Sequence, residues 1–276
     1  MKKTLVYLSI LFIAVACGSE TKEEPKESNS KNVNAEIAVE TTDAKPEVMD
    51  PRTQGGAKSE TQEFIDEHLL SSTGEFGELG YWVGAFGGNV INISLYEIVD
   101  GIAHGYSVCA GNFRKIEGSV KKEDDVLVFD MKEPGDDKYD GHFEFQIDIT
   151  GQSLSGKWSP FDEGVTDPKE YNLSKRVYSY DSTVGDYPEA STRELTYDDV
   201  ENMTGEELSE MRNEIYARHG YSFSNKEWRF HFEAKDWYMP LDVDVREKLT
   251  DVEVTNIELI YEYEMYYDEY YNDYGR

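Results

Sequence analysis

Residues 142–149 read His-Phe-Glu-Phe-Gln-Ile-Asp-Ile, apolar at every second position. Successive side chains of a strand point to opposite faces, so this period puts Phe143, Phe145, Ile147 and Ile149 on one face of a half-buried strand. His142, Glu144, Gln146 and Asp148 take the wet face. The same alternation returns in Ile91, Ile93 and Leu95, in Tyr106 and Val108, in Ile116 and Val120, and in Leu127, Phe129 and Met131. Turn signals divide these runs: Gly87-Gly88-Asn89, Asp100-Gly101, Ala110-Gly111-Asn112, Glu123-Asp124-Asp125, Pro134-Gly135-Asp136 and Thr150-Gly151-Gln152. About eight short strands with short turns make an antiparallel meander that closes as a barrel or a sandwich over residues 59–180. Strands polar on one side suit an antiparallel sheet with one solvated face. Ahead of them, Ser59 and Gln62 stand at capping-box spacing. Phe64, Ile65, His68 and Leu69 share a face of a short helix from Ser59 to Leu70.

The N-terminus carries different information. Lys2 and Lys3 precede an apolar run from Leu5 to Val15 that is interrupted only by Ser9. The run is too short to span a bilayer, which takes ~20 apolar residues, and it suits the hydrophobic segment of an export signal. It ends in Ala14-Val15-Ala16-Cys17-Gly18, which resembles the bacterial lipobox, although Ala14 stands where that pattern usually has Leu. The resemblance implies cleavage ahead of Cys17 and lipid on its thiol. Two or three acyl chains give stable anchoring where one is marginal. Residues 18–58 have no aromatic residue and are rich in Glu, Lys, Ser, Thr, Asn and Pro. Such a segment buries too little apolar surface to offset its ordering entropy, and reads as a disordered leash. Glu20, Glu23 and Glu24 close behind Cys17 resemble the acidic patch that directs some Gram-negative lipoproteins to the cell surface. The expectation is an exported protein, lipid-anchored in the outer membrane or at the cell surface.

Charge narrows the partners. The 276 residues carry 57 acids against 27 bases, net −30, and the acidity lies beyond the leash. Nucleic acid and anionic head groups demand a basic footprint and are disfavoured. With Cys17 lipidated, Cys109 has no intrachain partner, so disulfides do not staple this fold; Cys109 sits in an apolar run and reads as a buried thiol. No metal and no cofactor are expected. Asp136 to Gly141 has a lysine, Lys138, where a calcium loop needs an acid, and reads as an acidic hairpin. The spacing of His104, Cys109 and His142 matches no zinc motif.

After Tyr187-Pro188 the period changes to that of helices. Thr204 to Glu207, Ser224 to Glu227 and Thr250 to Glu253 are three capping boxes. Leu208, Met211 and Ile215 follow the first, ahead of Gly220 at a helix stop. Trp228, Phe230 and Phe232 follow the second, and Val254, Ile257, Ile260 and Tyr261 the third. Residues 190–276 therefore read as a small α-helical domain with a Tyr- and acid-rich final helix. Tyr263, Tyr267, Tyr270, Tyr271 and Tyr274 could line one face of it.

Arg212 to Tyr221 contains Tyr216-Ala217-Arg218-His219-Gly220. This string resembles the signature of the YARHG domain. The likeness continues through Trp237-Tyr238-Met239-Pro240 and Thr255-Asn256-Ile257, over roughly residues 192–264. The resemblance implies an extracellular bacterial module and brings no reaction with it. Trp82 and Trp158 loosely resemble the tryptophans of lipocalin and avidin-type barrels. Besides catalysis by His219 as a general base, for which no nucleophile or acid partner stands at a suitable spacing, two roles fit the five signature residues. In the first, Gly220 stops the helix while Arg218 and His219 bond its last carbonyls, with Arg218 paired to Glu207, Glu210 or Glu214. In the second, Arg218 and His219 form an anion receptor in a groove lined by Trp228, Trp237 and Tyr238.

The chain thus reads as an α+β multidomain protein. A lipoprotein signal (1–17) and a leash (18–58) precede an antiparallel β-barrel or sandwich of lipocalin-like meander (59–180) and a helical YARHG-like domain (190–276). Its expected role is non-enzymatic binding of a cell-wall or surface component. Alternatives are an envelope hydrolase using His219 with nearby carboxylates, and a small-ligand carrier in the barrel. The sequence supplies no catalytic set.

Overall fold

A computed structural model describes residues 50–54, 57–69, 77–135, 140–148, 153–162 and 164–267. Cys17, the leash up to residue 49, residues 136–139 of the acidic hairpin, and Tyr270, Tyr271 and Tyr274 lie outside the described residues.

The eight strands are β1 (Gly80–Phe86), β2 (Asn89–Val99), β3 (Ile102–Cys109), β4 (Asn112–Glu123), β5 (Val126–Lys132), β6 (Gly141–Asp148), β7 (Ser153–Pro160) and β8 (Lys169–Arg176). Each pairs antiparallel with its sequence neighbour, and β8 returns to β1 through Tyr81↔Arg176, Trp82↔Lys175 and Val83↔Ser174. The sheet is therefore a closed barrel, not a sandwich, and closure leaves no unpaired edge. Eight strands enclose a space that side chains alone can fill. Here Trp82, Ile93, Leu95, Ile116, Phe129 and Met131 are almost wholly buried within it, with Phe145, Trp158 and Tyr171 around them. Phe129 and Phe145 face each other in register and stack at 4.7 Å.

The outer face is not uniformly wet. On β5–β7 it carries Asp130, Glu144 and Lys157, as the alternation predicts. On β1–β3 it is buried too. Tyr106 and Val108 alternate as expected, but they point outward, against Ile65 of α1 (Glu60–Glu67). Alternation says which residues share a face; it does not say which side of the sheet that face is on. Ser59 caps α1, accepting from the Gln62 N–H at 3.2 Å. Phe64 meets Tyr96 and Phe113 edge-on, while Leu69 is 45% exposed and not on the buried face.

The helical region comprises two short helices, α2 (Glu189–Thr192) and α3 (Tyr197–Val200), then α4 (Gly205–Arg218), α5 (Lys226–Glu233) and α6 (Asp251–Tyr267). Leu208, Met211 and Ile215 of α4 pack on Val254, Ile257 and Ile260 of α6, with Ala190 and Val200 closing the ends. Thr204 and Glu207 cap α4 reciprocally. Thr250 and Glu253 do the same for α6: the Glu253 N–H donates to Thr250 Oγ1 at 3.2 Å, and the Thr250 N–H to Glu253 Oε2 at 2.9 Å. At α5 the cap is Asn225, one residue after the expected Ser224. Its side chain accepts from the Glu227 and Trp228 N–H groups. Either residue type can cap; the chain direction entering the helix chooses.

Barrel and helical region pack together. Tyr81 and Val83 of β1 meet Met239 and Leu241. Arg176 of β8 donates to the Tyr238 and Asp236 carbonyls at 3.0 and 2.8 Å. Helix α1 is wedged at the same seam. Gln62 Oε1 accepts from the Val243 and Asp244 N–H groups at 2.9 and 3.0 Å, and its Nε2 donates to the buried Asp242 carboxylate at 2.6 Å. One glutamine side chain thus bonds two backbone N–H groups and a buried carboxylate of the helical region, the carboxylate being shared with Lys248.

Candidate functional site

The signature lies along the last turn of α4. Because Leu208, Met211 and Ile215 point into the helical core, Glu214 and Arg218 share the adjoining flank at i, i+4 spacing, and both are buried. Arg218 Nε donates to the Val184 carbonyl at 2.8 Å, Nη1 to Ser191 Oγ at 3.0 Å, and Nη2 to the Tyr187 carbonyl at 2.8 Å and to Glu214 Oε1. Glu214 accepts in turn from the Asp186 and Tyr187 N–H groups, each at 2.8 Å. The segment 184–187 is therefore clamped through both its donors and its acceptors. Gly185 lies against the Glu214 carboxyl at φ +100°, where any Cβ would overlap it. Burial draws both charges toward neutrality, Glu214 upward and Arg218 downward. The two N–H groups and the opposite charge work against that for Glu214, as Glu214 and Glu253 do for Arg218.

His219 is enclosed as well. Its ring stacks on Tyr180 at 4.5 Å, and Nε2 lies 2.8 Å from Glu253 Oε2. Burial raises the Glu253 carboxyl, but bonds from His219, Ser191 and Thr250 outweigh it and hold Glu253 below its ordinary value. Tyr180 and Ser191 also donate to it, at 2.9 and 2.7 Å. Gly220 ends α4 at φ +79°, its N–H on the Ala217 carbonyl, with the Tyr221 N–H on that of Tyr216. Its carbonyl accepts from the Leu241 and Asp242 N–H groups at 2.8 and 3.0 Å, and a Cβ on it would lie 3.0 Å from Leu241.

Two expectations change here. Arg218 and His219 do not bond the last carbonyls of their own helix. The backbone N–H groups of Gly220 and Tyr221 take that role, while the side chains reach a loop and a helix distant in sequence. Nor does a shared groove form with the aromatic trio. Trp228 and Trp237 pack around the buried Tyr238 with Phe223 and Phe232, and the Tyr238 hydroxyl donates to the Tyr221 carbonyl at 2.8 Å. Ala217 joins that aromatic cluster.

The residues that complete this centre are Gly185, Ser191, Glu214, Glu253 and Asn256. Asn256 accepts from the Leu195 N–H at 2.7 Å and donates to the Ala190 and Arg193 carbonyls. Glu214 had a signal in its spacing from Arg218, and Asn256 in the family likeness of Thr255-Asn256-Ile257; Gly185 and Ser191 had none. Glu253 is legible as a capping residue, which conceals its second role under His219.

Open hollows lie beside α4 and at the barrel. A groove of about 670 Å³ is lined by Arg212, Asn213 and Tyr216 of α4, by Tyr221 and Arg246, and by Gln54 from the strap ahead of α1. Arg212 lies at its edge, its guanidinium bonded to both Glu264 oxygens at 2.9 and 3.0 Å and lying over Tyr261 at 4.6 Å, outside the groove lining. A second hollow, about 320 Å³, occupies one mouth of the barrel. There Lys169 Nζ stands 4.5 Å from Phe86 and 4.9 Å from Trp158. Beneath it, burial pushes Glu133 up to about 7, against bonds from Trp158 and the Gly141 N–H. Elsewhere His104 pairs with Glu117 and His142 with Asp130, and burial pushes the Cys109 thiol up to about 12. Among the described residues, no helix is long and apolar enough to cross a membrane.

The chain matches no curated protein and no solved structure. A family match does exist. It begins ahead of residue 192 and so takes in the loop that Glu214 and Arg218 clamp. Residues 185–265, which span the helical region from its first loop to α6, match the model of the YARHG domain.

Proposed function

We propose that this chain is an exported lipoprotein, anchored through lipid on Cys17, whose YARHG domain is a non-enzymatic binding module for a cell-wall or surface polymer. One observation carries the binding role. The signature helix divides its polar residues between two faces: Arg218 and His219 are enclosed, while Arg212, Asn213 and Tyr216 line an open groove, Arg212 being paired with Glu264 and Arg246 with Asp244. Arg218 and His219 are spent on internal partners, so neither is free to meet a substrate, and His219 has no approach for one. Arg212, Asn213, Tyr216, Tyr221 and Arg246 line the groove. Tyrosine rings beside paired guanidinium and carboxylate groups suit a polymer of sugars, packing on ring faces and bonding hydroxyl and amide groups. A carrier role for the barrel is disfavoured by its filled interior.

Retention of the full-length protein on purified wall polymer tests this reading. Arg246→Ala combined with Tyr221→Ala should weaken retention at least fivefold while the fold persists by circular dichroism. Equal retention of that variant refutes the groove. For the anchor, Cys17→Ser should lose acyl label and leave the membrane fraction. A variant that stays membrane-bound, with no label on the wild type, refutes it.

A further inference from the structure

We propose that the YARHG domain holds one divalent transition-metal ion of the zinc class between Asp186, Glu210 and His231. These three come from separate elements: the clamped loop, α4 and α5. Their donor atoms all lie within 4.8 Å of one another. His231 Nε2 and Glu210 Oε1 are 3.2 Å apart. Zinc bonds to nitrogen and oxygen of about 2.0–2.1 Å put neighbouring tetrahedral ligands roughly 3.3 Å apart. That pair is therefore already at ligand spacing, and only Asp186 has to close in.

A second observation points the same way. His231 Nε2 is sealed from solvent and has no hydrogen-bond partner among the described residues, although its ring is 29% exposed. The nearby Glu210 oxygen is within reach but out of line for a proton between them. Buried polar atoms are almost always satisfied, and an orphan nitrogen beside two carboxylates has the arrangement of a ligand. Imidazole with carboxylates suits zinc, manganese or cobalt rather than calcium, which takes oxygen alone.

The signature supplies the supporting layer. Glu214 lies one turn beyond Glu210 on α4 and bonds the Asp186 N–H, while Arg218 bonds the carbonyls on either side. The buried pair thus sets where the Asp186 carboxylate stands relative to Glu210, as outer groups orient metal ligands elsewhere. Glu214 and Arg218 are positioning residues in this account; Asp186, Glu210 and His231 are the ligands. At present Lys235 Nζ lies 2.6 Å from Asp186 Oδ2. Its ammonium supplies the positive charge that an ion would supply, so ion binding and the lysine contact compete.

That competition makes the test specific. The full-length protein, stripped with chelator, is titrated with Zn²⁺ by calorimetry and with Co²⁺ by visible absorption. One ion per chain is expected. His231→Gln, Glu210→Gln and Asp186→Asn should each weaken Zn²⁺ binding at least tenfold, and Lys235→Ala should strengthen it severalfold. Should one ligand variant fail to fold, the other two decide. Absence of a stoichiometric site overturns the proposal. So do ligand variants that titrate like the wild type, or a Lys235→Ala variant that binds no more tightly. The wall-polymer assay does not enter this result, so the two readings fail independently.

Discussion

Replacing Arg218 by lysine keeps the charge and removes the fork, which makes it the sharpest probe of the signature. The guanidinium serves four acceptors in four directions: Val184 O, Tyr187 O, Ser191 Oγ and Glu214 Oε1. An ammonium on a single point cannot reach acceptors spread around a planar fork, so at least two are left without a donor. Each buried acceptor left unmade costs about 1–3 kcal/mol. Retention of the positive charge near Glu214 spares the larger penalty of an uncompensated buried carboxylate, about 3–5 kcal/mol. The expected loss is therefore about 2–6 kcal/mol, which for a unit of this size lowers Tm by roughly 5–25 °C. The melt should be followed by far-UV circular dichroism for the helices and near-UV signal for the aromatic cluster. Glu214→Gln, made alone and with Arg218→Lys, completes a double-mutant cycle. Coupling of about 1–3 kcal/mol is expected for groups in direct contact. A Tm within one degree or so of wild type, or strictly additive variants, would refute the assignment of Arg218 as an internal strut.

Three further outcomes follow from the same geometry. Gly220→Ala should lower Tm through a backbone that alanine disfavours and through contact with Leu241, by about 1–2 kcal/mol; an unchanged melt would contradict the strain. Gln62→Ala strips the Val243 and Asp244 N–H groups of their acceptor and the buried Asp242 of a donor. It should cost about 2–3 kcal/mol and speed proteolysis between α1 and β1, and intact resistance would argue against the wedge. Glu133 has a folded pKa of about 7, above its unfolded value of 4.5, so the native state holds the extra proton. Its contribution is favourable at low pH and is lost as pH rises from about 4.5 to 7, by at most about 3 kcal/mol. Glu133→Gln, able to accept the same Trp158 and Gly141 bonds, should therefore raise Tm at pH 8 and leave it nearly unchanged at pH 5. An equal shift at both would show that Glu133 ionises normally.

The local periods of the chain decided its elements. Alternation at 142–149 and in the runs before it, cut by glycine- and aspartate-rich turns, specified short antiparallel strands because a strand's side chains can only alternate. The Thr204 and Thr250 boxes specified two helix starts because orphan N–H groups need those oxygens. Gly220 specified a stop because the left-handed backbone there suits glycine. Three things were not legible locally, each for the same reason. That the sheet closes depends on Tyr81 meeting Arg176 across the whole domain. That Tyr106 and Val108 face outward depends on Ile65 arriving to cover them. That Arg218 and His219 look inward depends on Val184, Tyr187 and Glu253, which come close only when the segment before α2 and the start of α6 fold against α4. A periodic pattern reports what a residue's neighbours in sequence require of it. The partner that satisfies a buried charge is set by packing, and packing brings together residues that no local pattern connects.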